Sequence, residues 1–216
     1  MSERARPVSS DLFDYIAART TPEDEFCADL KRAADAAGIP RIWVAPEQAA
    51  WLEITMRAIR AKDVVEVGTL AGYSAIRFAR GLLPGGKVRT VEVSPEHAAF
   101  AREWAARSDV ADRIEIHEGD ARAVLKTFAS ESADAAFIDA DKAGYPTYFE
   151  ECLRILRPGG LLMADNAFAF GELLDPKSED ESVHAIRSFN ELVAARKDLD
   201  AIIVPFGDGC WMGVKR

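Results

Sequence analysis

From residue 63 onward the chain alternates short apolar runs with helix-length amphipathic segments, and this alternation restricts the fold more than any other feature. The runs that read as strands cover 64–67, 87–91, 114–117, 135–138, 161–164, 201–204 and 211–214. Helical segments fall between them, near 73–80, 95–107, 121–128, 145–156 and 181–195. Strand, helix, strand at this spacing requires right-handed crossovers, so the expected fold is α/β, a doubly wound, mostly parallel seven-stranded sheet. Only Pro205-Phe206-Gly207-Asp208-Gly209 separates the last two runs. That is too short for a crossover, so they should pair as an antiparallel C-terminal hairpin on the sheet edge.

The residues before this core read as an N-terminal helical extension. A short amphipathic helix is expected over 11–18. A second is expected to start at Thr21-Pro22-Glu23-Asp24, with a Thr cap, Pro at the first helical position and acids in the first turn, and to stop at Gly38. A third runs from Pro46-Glu47 to about Arg60. Without repeats, low-complexity tracts or linkers, the economical division is one domain, 1–216, with 1–62 helical and 63–216 the α/β core.

Composition narrows the function classes. The longest apolar stretches are strand-sized and interrupted by charge, so no membrane span is expected, and MSERARPVSSD lacks the apolar region of a secretory signal. A formal net charge of −9 argues against a polyanionic partner, which needs clustered Lys and Arg. Cys27, Cys152 and Cys210 are odd in number and far apart, and read as reduced, buried thiols of a cytoplasmic protein.

In an open α/β sheet, ligands bind beyond the carboxyl ends of the strands. Here those ends run into Glu66, Glu92, Glu118-Gly119-Asp120, Asp139 and Asp165. Any one of these acids could simply cap the following helix. Five together repel one another unless cations or hydrogen-bond donors neutralise them, so the row calls for cationic ligands and disfavours a phosphate site.

The first strand leads into Glu66-Val67-Gly68-Thr69-Leu70-Ala71-Gly72-Tyr73-Ser74. Gly68 permits a sharp turn and Gly72 a close backbone approach to a ligand, but Leu70 stands where the dinucleotide fingerprint has its second glycine. Glu66 suits a ligand carrying an ammonium group. Glu92, 24 positions after Gly68, falls where an acid accepts hydrogen bonds from ribose hydroxyls.

A second constellation is Phe137-Ile138-Asp139-Ala140-Asp141-Lys142, followed by Leu161-Leu162-Met163-Ala164-Asp165-Asn166. On neighbouring parallel strands, Asp139, Asp165 and Asn166 would form an all-oxygen set suited to Mg²⁺ or a similar hard cation, with positions left for substrate and water. Neither run holds His or Cys, which argues against zinc. From spacing alone, Lys142 reads better as a counter-ion to Asp139 or Asp141 than as a general base. His97, His117 and His184 read as surface or core residues, the four tryptophans as core or interface, and Phe168 and Phe170 equally as pocket walls or core. The run 176–182 reads as a solvated loop.

From about Trp43 to the C-terminus the chain resembles the class I, metal-dependent O-methyltransferases that use S-adenosylmethionine, the family of the caffeoyl-CoA and catechol enzymes and many small bacterial members. The matching pieces are EVGTLAGYS (66–74), VEVSP (91–95), EGDA (118–121), FIDADKAGY (137–145), GGLLMADN (159–166) and PFGDG (205–209). The resemblance implies a Rossmann-like methyltransferase fold, with metal on Asp139, Asp165 and Asn166, and it turns Lys142 from counter-ion into base. It implies cofactor contacts from Glu66, Gly68, Thr69 and Ser74 to the methionine part, Glu92 to ribose and Ala121 to adenine, with Val44 and Asp139 bordering the cofactor. Catalysis would rest on Lys142 and Asp139, the substrate would be a catechol-like or other vicinal-dihydroxy aromatic, and a homodimer is expected, its surface drawn from Leu12, Phe13, Tyr15, Ile16, Phe26 and Leu30.

The polar, Trp-containing run of the plant members is replaced by Ala167-Phe168-Ala169-Phe170-Gly171, and the second catechol-binding carboxylate of the animal enzyme has no counterpart. These departures bear on the substrate rather than on the reaction. Three rivals remain: methylation of a hydroxylated uridine in tRNA, disfavoured by the acidic charge; an NAD-dependent oxidoreductase, disfavoured by Leu70; and a non-catalytic binding protein on the same fold.

Overall fold

The computed structural model describes residues 9–216. Strands β1 (Asp63–Val67), β2 (Lys87–Glu92), β3 (Ile114–Glu118), β4 (Ala133–Ile138), β5 (Leu156–Ala164), β6 (Leu199–Val204) and β7 (Cys210–Lys215) form one sheet in the order β3-β2-β1-β4-β5-β7-β6. The first five pair in parallel; β7 runs antiparallel to both β5 and β6. The mostly parallel seven-stranded sheet and its terminal hairpin are therefore as expected, with β6 alone on the edge and β7 inserted beside β5. Chain order reverses between β1 and β4, which opens a crevice at their carboxyl ends.

Helices α1 (Ser10–Ala17), α2 (Glu25–Ala36), α3 (Pro46–Ala58), α4 (Tyr73–Gly81), α5 (Pro95–Arg107), α6 (Ala121–Val124), α7 (Tyr145–Ile155) and α8 (Glu181–Ala194) complete the fold. Strand alternation divides the core. Val64 faces a cluster with Cys27, Leu30, Leu52, Met56 and Phe78 from α2, α3 and α4. Val65 and Val67 face the other, with Phe149, Leu153, Ile186 and Phe189 from α7 and α8. The N-terminal helices α2 and α3 are thus built into one face of the sheet rather than appended to it.

Several expected boundaries move, each for a local reason. The second helix starts at Glu25, not at Thr21-Pro22: Asp24 takes the cap, its carboxylate accepting the Cys27 N–H at 2.8 Å, and Asp is the stronger cap residue. α3 stops at Ala58 because Arg60 turns left-handed, at φ 56°. The segment expected as a helix over 121–128 is α6 followed by a tighter turn at Leu125–Thr127. β5 begins at Leu156, five residues before the expected start, and bulges so that Ala133 pairs with Leu156 but Ala135 with Leu161. All three cysteines are buried and unpaired.

The proposed dimer surface needs correction. Leu30 is fully buried in the chain's own core, and Phe26 packs edge-on against Trp104 with ring centroids 5.4 Å apart. Only α1, with no buried residue, presents Leu12, Tyr15 and Ile16 to solvent. Among the described residues, no helix is long and apolar enough to cross a membrane.

Candidate functional site

The β1–α4 turn opens the site. Gly68 adopts φ +99°, and a Cβ built on it would lie 1.9 Å from the Asp139 carbonyl oxygen, so only glycine lets β1 leave the sheet this close to the end of β4. Leu70 adopts the left-handed region at φ 49° without being glycine. Its N–H and that of Thr69 donate to one oxygen of Glu92, at 2.8 and 3.2 Å. The Ser94 N–H donates to the other, at 2.9 Å. Glu92 therefore braces the strained turn as well as bordering the cleft.

Behind the turn opens a cavity of about 1140 Å³. Val44, Gly68, Thr69, Ser74, Glu92 and Ala121 are among its lining residues. Asp139, Lys142, Asp165 and Asn166 line it beyond the carboxyl ends of β4 and β5. Among the residues expected from sequence, Glu66 alone is absent from this wall. It lies beneath the turn, wholly buried, with neither carboxylate oxygen hydrogen-bonded. Burial, reinforced by the charges of Asp139 and Glu92, raises its pKa to about 7, while the neighbouring hydroxyls of Ser74 and Thr90 oppose the rise without completing hydrogen bonds.

The row of strand-end acids is not uniform. Asp120 caps α6, accepting the Arg122 N–H at 2.8 Å, and Glu118 pairs with Arg102 at 3.0 Å. Capping and ion pairing account for these two, and backbone N–H groups satisfy Glu92. Among the described residues, Glu66 and Asp165 form no ion pair with a cationic side chain, and Asp139 has Lys142 alone, at 3.3 Å.

Beyond the ends of β4 and β5, Lys142 Nζ donates to Asn166 Oδ1 at 2.6 Å, to the Tyr145 hydroxyl at 2.7 Å and to Asp139 Oδ1 at 3.3 Å. Asp165 is buried. Desolvation and the neighbouring Asp139 charge push its carboxyl up to about 7, against the hydrogen bond it accepts from Gln48. Burial, with the charges of Asp139 and Asp165, likewise holds the Tyr145 phenol well above its ordinary value. Two carboxylates forced together beside an amide oxygen form a hard-cation donor set, and the lysine ammonium now fills the role of their cation. No group of three His, Cys, Asp or Glu side chains gathers among the described residues, so any metal here depends on the Asn166 oxygen as its third protein ligand.

Two residues escaped the sequence reading. Gln48, near the start of α3, donates from Nε2 to Asp165 Oδ1 at 3.0 Å, and nothing local marks it. Asp208, in the β6–β7 turn, accepts from Asn166 Nδ2 at 3.0 Å and from the Phe170 N–H at 2.9 Å. The PFGDG run pointed to this turn without giving it a role. Phe170 is 53% exposed and lines the cavity, a wall residue rather than core, whereas Phe168 packs under Gly209.

A family model described as O-methyltransferase matches residues 17–216. A catechol O-methyltransferase of Niastella koreensis is 37% identical over 198 residues, which cover 90% of this chain and 86% of that protein. A catechol O-methyltransferase of Mycobacterium tuberculosis is 36% identical over 199 residues, covering 92% and 90%. In structure, the O-methyltransferase from Bacillus cereus in complex with SAH superposes with a TM-score of 0.87 at 36% identity, over 94% of this chain and 96% of that one.

Proposed function

The chain belongs to the O-methyltransferase family and draws its methyl group from S-adenosylmethionine, and from that premise we propose that it methylates one hydroxyl of a catechol-like, vicinal-dihydroxy aromatic, with a divalent cation on Asp139, Asp165 and Asn166 and with Lys142 as base. The observation that carries this reading is the position of Lys142 Nζ, within 3.3 Å of Asp139 and 2.6 Å of Asn166 at the cavity end. The family match sets aside the NAD-dependent oxidoreductase. The names of the two catechol enzymes favour a small aromatic hydroxyl over tRNA.

Asp139, Asp165 and Asn166 would hold the cation, which when bound would supply Lewis acidity that lowers the pKa of a substrate hydroxyl. Lys142, as the free amine, takes that hydroxyl's proton on Nζ, and the ammonium so formed is held by Asp139, Asn166 and Tyr145. Bound S-adenosylmethionine would supply the methyl group that the deprotonated hydroxyl takes, the C–S electron pair remaining on its sulfur. Asp139 would serve both sides, as cation ligand and as a carboxylate near the methyl donor.

At the other end, Gly68, Thr69 and Ser74 would enclose the methionine part, Glu92 would accept from ribose, Ala121 would meet adenine, and Val44 would close the near wall. Glu66, buried and unpartnered beneath the turn, would supply negative charge toward the ammonium end. Apolar residues of α1 are the surface we assign to a homodimer, with light scattering as its test. The enzyme reading is tested by methylation of a catechol with EDTA present and after Mg²⁺ is restored. Activity should vanish and return; full turnover in the chelator would refute the metal role.

A further inference from the structure

Asp165 and Asn166 are each tied to a residue from elsewhere in the chain, Asn166 through the amide end that does not face Lys142. Gln48 Nε2 holds Asp165 Oδ1 at 3.0 Å. Asp208 Oδ2 holds Asn166 Nδ2 at 3.0 Å. A carboxylate facing an amide accepts only from its NH₂, so Asp208, together with the Lys142 donor on the opposite side, fixes which way the Asn166 amide points and leaves Oδ1 facing Lys142.

The two outer residues are themselves joined. A Cβ on Gly207 would lie 3.0 Å from Gln48 Oε1, so the β6–β7 turn sits against α3. Trp51 of α3 packs edge-on against Phe206, with centroids 5.0 Å apart. The same turn grips the segment after β5: the Ala167 and Phe168 N–H groups donate to the Gly209 and Asp208 carbonyls, both at 2.8 Å, and Phe170 N–H to the Asp208 carboxylate. That segment contains three non-glycine residues at positive φ, Asn166, Ala169 and Phe170 (63°, 51° and 60°). Such backbone persists only where its surroundings over-determine it.

We infer that Gln48 and Asp208 form a bracket that positions Asp165 and Asn166 for the cation, and that Asp208, through Phe170, also sets the aromatic wall against which substrate lies. Both are positioning residues, and the inference rests on the metal-assisted reading above. Losing an outer partner of this kind typically costs about 10–100-fold in metal affinity. The freed Asn166 amide would rotate and present NH₂ where an oxygen is needed.

The test is Mn²⁺ binding followed by the loss of free Mn²⁺ signal in electron paramagnetic resonance, with S-adenosylhomocysteine present, on wild type, Asp208→Ala, Asp208→Asn and Gln48→Ala. Circular dichroism checks folding, and calorimetry measures S-adenosylhomocysteine affinity. Asp208→Ala should weaken Mn²⁺ by at least about tenfold, and Gln48→Ala by several-fold, with S-adenosylhomocysteine affinity within about twofold of wild type. Asp208→Asn keeps an acceptor oxygen and should recover most of the loss. With a 3,4-dihydroxyphenyl substrate, Asp208→Ala should also shift the ratio of the two methylated regioisomers. Folded Asp208→Ala and Gln48→Ala proteins that hold Mn²⁺ within twofold of wild type overturn the bracket. Equal weakening in Asp208→Asn and Asp208→Ala overturns its hydrogen-bond basis. A wild type that binds no Mn²⁺ instead refutes the metal reading on which the bracket rests.

Discussion

Replacing Gly68 by Ala isolates the contact on which the whole cleft depends. The new Cβ would lie 1.9 Å from the Asp139 carbonyl oxygen and 2.8 Å from its carbon. Real Cβ contacts do not fall below 3.0 Å, so turn and strand end must part by at least 3.0 − 1.9 = 1.1 Å. Overpacking of that kind costs about 1–3 kcal/mol, and an L-residue at φ +99° adds about 1–2 kcal/mol. Gly85→Ala provides the control, because Gly85 has φ +75° with nothing within 4 Å of its Cβ. It carries the conformational cost alone, and the lower entropy of the unfolded Ala chain enters both variants alike.

Urea unfolding should therefore place Gly68→Ala about 1–3 kcal/mol below Gly85→Ala. Because the displaced strand end carries Asp139, a shift near 1 Å is also enough to lower catalysis by about 100-fold. Calorimetry should find weakened S-adenosylhomocysteine binding in Gly68→Ala alone. If the two variants unfold together and Gly68→Ala binds S-adenosylhomocysteine like wild type, the close approach is not what requires glycine, and the derivation of the turn is wrong.

Lys142→Ala should lower kcat steeply while leaving S-adenosylhomocysteine affinity nearly intact, read by steady-state kinetics beside calorimetry; a large loss of cofactor affinity would count against its role as base. Glu66 has a folded pKa near 7 against an ordinary 4.5, so its contribution to stability is fully present below about 4.5 and is lost as pH rises through about 7. The ligand-free protein should lose on the order of 3 kcal/mol over that window, seen as a falling Tm, and a Glu66→Gln variant that falls just as steeply would assign the slope elsewhere. Leu30→Ala should cost about 2–5 kcal/mol in urea because that side chain is wholly buried, whereas Leu12→Ala should leave the monomer's stability within about 0.5 kcal/mol.

What the sequence discloses and what it hides follow from the range of the interactions involved. Asp139 and Asp165 could be placed at one edge because an apolar run ends where its strand ends, and parallel neighbours align those ends. The start of α2 lies a few residues beyond Thr21, since Thr21 and Asp24 both carry cap chemistry, and Asp24 is the stronger cap residue and also pairs with Arg80. Leu70 excluded a dinucleotide turn correctly, but its left-handed backbone was not legible, because the compensation comes from Glu92, 22 positions away. Gln48 and Asp208 act across 117 and 42 positions. No local pattern encodes a hydrogen bond that exists only after α3 and the β6–β7 turn have docked on β5.

The acidic edge shows how such distant compensation changes a sequence argument. Five strand ends carrying acids suggested a uniform demand for cations, yet charge alone does not fix demand; the count of donors already facing each carboxylate does. Glu118 has Arg102, Asp120 has its own helix, and Glu92 has three backbone N–H groups. Glu66 has none, and Asp165 has one amide and the repulsion of Asp139. The least compensated carboxylates therefore lie on β1, β4 and β5, the three adjacent strands flanking the point where chain order reverses, with Lys142 the one cation facing Asp139 among the described residues. A cationic ligand lying along that crevice would relieve Glu66 at one end and Asp139 in the middle, and a divalent ion at the other end would relieve Asp139 and Asp165 together. On the proposed reading, the placement of unsatisfied charge, rather than its total, would orient a sulfonium donor and a metal-bound acceptor toward each other across Asp139.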